Sequence, residues 1–227
     1  SQIVDGVTVS GKEGDYTYVD LGLPSGTKWA TYNIGATKPT GFGNKYAWGE
    51  TQTKSRYYWS NYKWRVADAA YVYYGKITKY CSNSEYGIVD NKTVLEAEDD
   101  AATVNWGSAW RMPTREEMNE LARECTWERT LFSEGNFNFN VCVGTSKRNG
   151  AIIYLPEAGY REEYQGRDHY GSDVLSYWSS SLYYINDSVE FSQYAYVLRY
   201  ESGYLYTVSG YGDGERHAGR PVRAVLR

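Results

Sequence analysis

The sequence predicts an α+β fold: two short helices near the middle, antiparallel sheets and long loops. Three observations carry it. Globular composition comes first, with 41% hydrophobic and 23% charged residues over 227 positions. A capped apolar stripe near Met118 marks a helix, and two-residue alternation after Val141 marks strands. The length suits one β-rich domain and gives a core without disulfide staples. Its apolar content is unusual in kind, since 25 Tyr and 8 Trp stand against 5 Phe.

In chain order, residues 1–15 read as a tail and 16–227 as one domain. Tyr16, Tyr18 and Asp20 alternate with Thr17, Val19 and Leu21, and Pro24-Ser25-Gly26 supplies a turn between two strands. "TKPTGFGNKYAWGE" reads as glycine-rich loop, and residues 51–86 as long surface loops with short strands. "LEAEDDAATVNWG" contains good helix formers and stops at Asn105 and Gly107. In "RMPTREEMNELAREC", Thr114 and Glu117 form a capping box. Met118, Leu121, Ala122 and Cys125 then make one apolar stripe, the mark of a core-facing helix. Strands follow in "AIIYLPEAGY", "LSYWSSSLYY", "QYAYVLRYESGYLYTVS" and "RPVRAVLR", with Val222, Ala224 and Leu226 inward and Arg223, Val225 and Arg227 opposite. "GYGDGERHAGR" is too rich in glycine and charge for a strand and reads as loop.

Several function classes are excluded or unsupported. A net charge of −4 argues against nucleic acid as a partner. No apolar run is long enough to span a membrane. Cys81, Cys125 and Cys142 fit no zinc spacing and read as buried thiols, a Cys125–Cys142 bridge being the alternative. His169 and His217 belong to no catalytic motif. Ser179, His217 and Asp213 compose a triad only on paper, Asp187, Glu190 and Asp213 are ordinary loop carboxylates, and Glu162-Glu163 reads as a surface pair. No cofactor, metal site or catalytic residue is implied.

"YVDLGLPSGTKWATYNIGA", "YAWGET", "DNKTVLEAEDDAATVNWGSAWRMPTREEMNELARECTWE", "GAIIYLPEAGYR", "YWSSS" and "GRPVRAV" together resemble the major paralogous domain of fibrobacters, in order from Tyr18 to Val225. That resemblance implies a C-type lectin-like fold of the formylglycine-generating-enzyme branch, with a ligand-binding role in surface proteins and lipoproteins of gut bacteria. It implies an extracellular, cell-surface or phage-tail location and leaves room for a lipid anchor on a precursor. Such domains also occur as variable proteins of diversity-generating retroelements, whose C-terminal cassette, here about 160–218, is rewritten at adenines of a template. Departures are informative: Tyr32 stands where relatives often carry Cys, and the cysteine pair of formylglycine generation is not recognisable. Calcium signatures of sugar-chelating lectins are missing as well.

The residues agree with rewriting. Changes at both adenines of an AAY codon reach Tyr, Ser, Asp, Gly, Val, Arg and His, never Lys, Glu, Gln, Trp or Met. From Tyr183 to Ala218 there are eight Tyr and no Lys, Trp or Met, while Glu190, Gln193, Glu201 and Glu215 require other codons. Tyr194, Tyr196, Leu198 and Tyr200 share one strand face, Ser202-Gly203 turns the chain, and Tyr204, Tyr206 and Val208 form a face on the return strand. The expectation is a hairpin with its tyrosines on a common side. Tyrosine gives large, rigid contact area at low entropy cost, which suits recognition of a protein or glycan. The expected binding residues are Tyr183, Tyr184, Asn186, Asp187, Tyr194, Tyr196, Arg199, Tyr204, Tyr206, Ser209, Tyr211, Asp213 and His217. A formylglycine-type oxidoreductase and a structural subunit of a surface assembly are the rival readings.

Overall fold

The computed structural model describes residues 1–67, 75–164, 167–183, 193–209 and 213–227. In chain order come β1 (Gln2–Val4), β2 (Val7–Val9), β3 (Gly11–Glu13), β4 (Tyr16–Val19), β5 (Trp29–Ala30) and β6 (Lys45–Tyr46). Helix α1 (Ala101–Trp106), β7 (Trp110–Arg111) and helix α2 (Arg115–Glu124) follow. Then come β8 (Cys125–Glu134), β9 (Phe137–Ser146), β10 (Ile152–Pro156), β11 (Tyr160–Tyr164) and β12 (Arg167–Gly171). The last strands are β13 (Ser176–Leu182), β14 (Ala195–Glu201), β15 (Tyr204–Val208), β16 (Arg220–Pro221) and β17 (Val225–Leu226). Among the described residues strand accounts for 41% and helix for only 11%, the strands spread over several small antiparallel sheets. This overturns the expected α+β, C-type lectin-like class: the molecule is mostly β, and its two α-helices span six and ten residues.

The helices form where their signals lie. The Asp100 carboxylate caps α1 by accepting from the amides of Ala102 and Thr103, and Gly107 ends it at φ 105°. Thr114 accepts from Glu117 N–H while Glu117 accepts from Thr114 N–H, completing the capping box of α2. Met118, Leu121 and Cys125 are buried among Trp29, Ile153, Tyr177 and Leu198, so the stripe is core.

Other expectations change. β8 carries no clear alternation, because most of it is exposed on both faces. Residues expected as a tail form β1–β3, and Val7 is buried. The 51–86 region is not all surface: Tyr57, Trp59, Tyr62, Ile77 and Cys81 make a core cluster of their own. All three cysteines are buried and free. Cys125 pairs across the ladder with Ser146 and Cys142 with Arg129, four rungs apart and too far for a bridge.

The C-terminal end departs most. Arg216, Arg220 and Arg223 are all buried, as are Val222, Ala224 and Val225, so neither face of this segment meets solvent. β17 lies between β5 and β7 in a five-stranded sheet, and β16 pairs with β6. Chain end and chain beginning thus share one sheet, and the segment read as a charged loop is an internal strut.

Candidate functional site

The site is built on the antiparallel sheet β13–β14–β15. Ala195 and Val197 project into a core with Trp48, Trp110 and Trp178, while Leu198 and Leu205 project into the other core with Met118 and Leu121. The β14 strand is therefore buried on both faces along its first half and emerges at Arg199. Ser202 (φ 52°) and Gly203 (φ 87°) make the two-residue turn, which pairs Glu201 with Tyr204 and Arg199 with Tyr206.

That register corrects the expected common face. Directly paired residues project to the same side, so Tyr204 and Tyr206 lie with Glu201 and Arg199. Tyr196, Leu198 and Tyr200 lie on the opposite side with Leu205 and Thr207. There Tyr196 is 4% exposed, with the Arg115 guanidinium 4.1 Å above its ring and Tyr183 set edge-on at 5.4 Å. It is a packing residue at the start of α2 rather than a contact surface.

The solvent-facing side keeps a compact set. Tyr204 is 74% exposed, and the Tyr206 hydroxyl donates to Glu201 at 2.8 Å. Arg199 pairs with Asp213, both partly buried. Ser209 Oγ donates to Ala195 O at 2.7 Å, tying the end of β15 back to β14. Tyr194 bridges to Glu215 through the backbone. His217 stands apart from this set: it is 6% exposed, edge-on to Trp59 at 5.7 Å. Burial, then the Arg220 and Lys54 charges, push its imidazole down to about 3, so it is neutral and internal. Tyr184, Asn186, Asp187 and Tyr211 lie outside the described residues.

Behind the exposed set lies a charged layer, and it corrects the expectation that Glu162 is a surface residue. Glu162 is half-buried in β11. Burial, then the Glu215 and Asp213 carboxylates, raise its carboxyl to about 7 against the opposing pull of Arg220. Arg220 is wholly buried, stacked between Tyr160 (4.7 Å) and Trp178 (5.1 Å), donating to Ser176 at 2.6 Å and paired with Glu215 at 3.6 Å. Alternation in "YREEY" was the signal available, since it places Tyr160, Glu162 and Tyr164 on one side of a strand.

No catalytic triad is assembled. Ser179 donates to Tyr196 O at 2.7 Å, Asp213 is engaged by Arg199, and His217 packs against Trp59. Burial, ahead of the Glu124 and Glu157 charges respectively, pushes the Cys125 and Cys142 thiols up to about 12, far from a reactive thiolate. Among the described residues no three His, Cys, Asp or Glu side chains converge as a metal site. No helix of the described residues is long and apolar enough to cross a membrane. Family models, curated proteins and solved structures offer no significant match to the chain.

Proposed function

We propose that this chain is a non-enzymatic binding protein, of receptor or adhesin type, displayed outside the cell. It engages a protein or glycan through the outward face of the β14–β15 hairpin, centred on Tyr204, Tyr206, Arg199 and Asp213. One observation carries the reading: the hairpin is buried on both faces at its root and emerges at its tip, which holds a 74% exposed tyrosine beside a charged pair. Exposed tyrosine flanked by arginine is the composition of recognition surfaces. Such a hairpin tolerates replacement at its exposed tip, which suits a region rewritten by a retroelement. The buried, unreactive thiols of Cys125 and Cys142 disfavour a cysteine-based oxidoreductase.

The test compares parent protein with a Tyr204→Ala, Tyr206→Ala double variant on a glycan array and a panel of bacterial surface proteins. Binding should fall by about tenfold or more while the melting temperature holds. Equal binding by the double variant removes this face from the function. A reverse transcriptase gene and an adenine-rich near-repeat of the 3′ end beside the coding sequence would establish diversification, and their absence would refute it.

A further inference from the structure

A second cavity, distinct from the hairpin face, opens between the β8–β9 and β11–β12 hairpins. Its volume is about 480 Å³, within the range of small-molecule sites. Its walls are aromatic. Phe42 meets Phe137 edge-on at 5.9 Å, and Tyr160 and Tyr170 line the other side. Phe137, stacked on Phe139 at 5.5 Å, and Tyr170 are still 56% and 58% exposed, so each ring keeps surface open to a ligand.

Two cations line the same cavity. Arg161 reaches it with its guanidinium 4.7 Å from the Tyr170 ring and 5.7 Å from the Tyr57 ring. Its Nη2 donates to Ser55 O at 2.7 Å and to the Tyr170 hydroxyl at 2.9 Å, while its buried Nε has no hydrogen-bond partner. Lys45 is half-buried beside it, its backbone carbonyl accepting from the Tyr57 hydroxyl at 2.6 Å. Among the described residues no carboxylate pairs with either cation. Of the two acids on the cavity wall, Glu157 is occupied by Arg129, at 2.7 and 2.9 Å, and Asp173 is exposed without an ion pair. Burial and then the Arg161 charge pull the Lys45 ammonium below its usual range. Neither wall carboxylate forms an ion pair with the two like charges, and an incoming anion relieves their mutual repulsion.

We propose that this cavity binds an acidic sugar: the pyranose ring lies against Phe137 and Tyr170, and its carboxylate meets the Lys45 ammonium and the Arg161 guanidinium. Aromatic faces supply the apolar contact that a pyranose C–H face requires, and the cations select the charged member of a sugar pair. A neutral sugar leaves both cations unpaired, and a simple carboxylate leaves the rings uncovered.

Titration calorimetry of the whole chain with oligogalacturonate, oligoglucuronate and sialyllactose, each beside its carboxyl methyl ester and beside acetate, tests the assignment. At least one acid should bind at millimolar concentration or below, with its ester and acetate roughly tenfold weaker or more, as for loss of one charge-assisted hydrogen bond. Lys45→Met should lose roughly tenfold in affinity at unchanged melting temperature, and Phe137→Ala, at an exposed position, should weaken binding in the same direction. The Tyr204→Ala, Tyr206→Ala variant should bind the acid as the parent does. Absence of binding by all three acids, equal binding of acid and ester, parental affinity in both cavity variants, or loss of acid binding in the hairpin variant would each overturn the proposal. The hairpin reading stands or falls on its own double variant, so the two failures are distinguishable.

Discussion

Arg220 acts on both Glu162 and His217, and its charge lowers the pKa of each. Burial acts on the two in opposite directions, because it disfavours a carboxylate and an imidazolium alike. Glu162, raised to about 7 from 4.5, holds its proton more tightly in the folded state. Its contribution to stability is present in full below pH 4.5 and is lost as pH rises through 7. His217, lowered to about 3 from 6.5, contributes stability above pH 6.5 that is lost as pH falls toward 3. In Glu162→Gln the first dependence disappears and the second remains. The urea midpoint should then gain more between pH 4.5 and pH 7 than it does in the parent protein. An identical pH profile for variant and parent would show that Glu162 is solvated. Tyr160 and Glu215, which face the same guanidinium, are unchanged in this comparison.

Among elements, α2 and the β14–β15 hairpin show what a sequence does and does not disclose. Capping is local: Thr114 and Glu117 are three residues apart, so both partners were visible in one short window. Thr114→Ala should cost about 1 kcal/mol of unfolding free energy, read from urea denaturation, and Leu121→Ala, at a site with no solvent exposure, about 2–5 kcal/mol. The hairpin was found as a hairpin, but its faces were misassigned. A two-residue turn at Ser202-Gly203 pairs Glu201 with Tyr204, so each even-numbered residue of β15 sits opposite an odd-numbered residue of β14. Tyr196 and Tyr206 therefore point to opposite sides although each obeys alternation in its own strand. Alternation finds a face, and only the turn relates one strand's face to the other's. Tyr196→Ala should consequently destabilise the fold by about 3 kcal/mol or more, whereas Tyr204→Ala should shift stability by less than about 0.5 kcal/mol. Comparable losses at both positions would contradict the register. The acidic-sugar cavity was not legible at all. It joins Phe42, Phe137 and Tyr170 from three distant stretches, and no single window contains them.

At the scale of the whole molecule, closure depends on arginines that composition assigns to the surface. Composition makes "GERHAGR" a loop and puts Arg223 opposite the inward face of the strand "RPVRAVLR", because a guanidinium opposes burial on any transfer scale. The fold offsets this by giving each guanidinium at least one buried acceptor, and Arg216 and Arg220 aromatic rings as well. Arg223 donates to Asn33 Oδ1 at 2.8 Å and Ala30 O at 3.2 Å, anchoring the C-terminal segment beside β5. Arg216 reaches the aromatic cluster on the far side. It donates to the Tyr62 hydroxyl at 3.1 Å, Tyr80 O at 3.0 Å and Lys79 O at 2.9 Å, with the Trp48 ring 4.8 Å away. Those carbonyls belong to a stretch with little regular secondary structure, so a side chain replaces the ladder that would otherwise satisfy them. Arg216→Ala removes the donor and leaves two carbonyls and a hydroxyl buried, with a cavity under Trp48. The loss should be about 3 kcal/mol or more, seen as a lower urea midpoint. Arg216→Lys should recover little of it, since one ammonium cannot reproduce the planar fork across three acceptors. Because Arg216 joins Tyr62 of the 51–86 cluster to Trp48 and Tyr80 of the main core, its removal should also split unfolding into two transitions monitored by tryptophan fluorescence and far-ultraviolet dichroism. A single transition at the parental midpoint would mean that the cluster is held by its own packing, and that the buried guanidinium is incidental to closure.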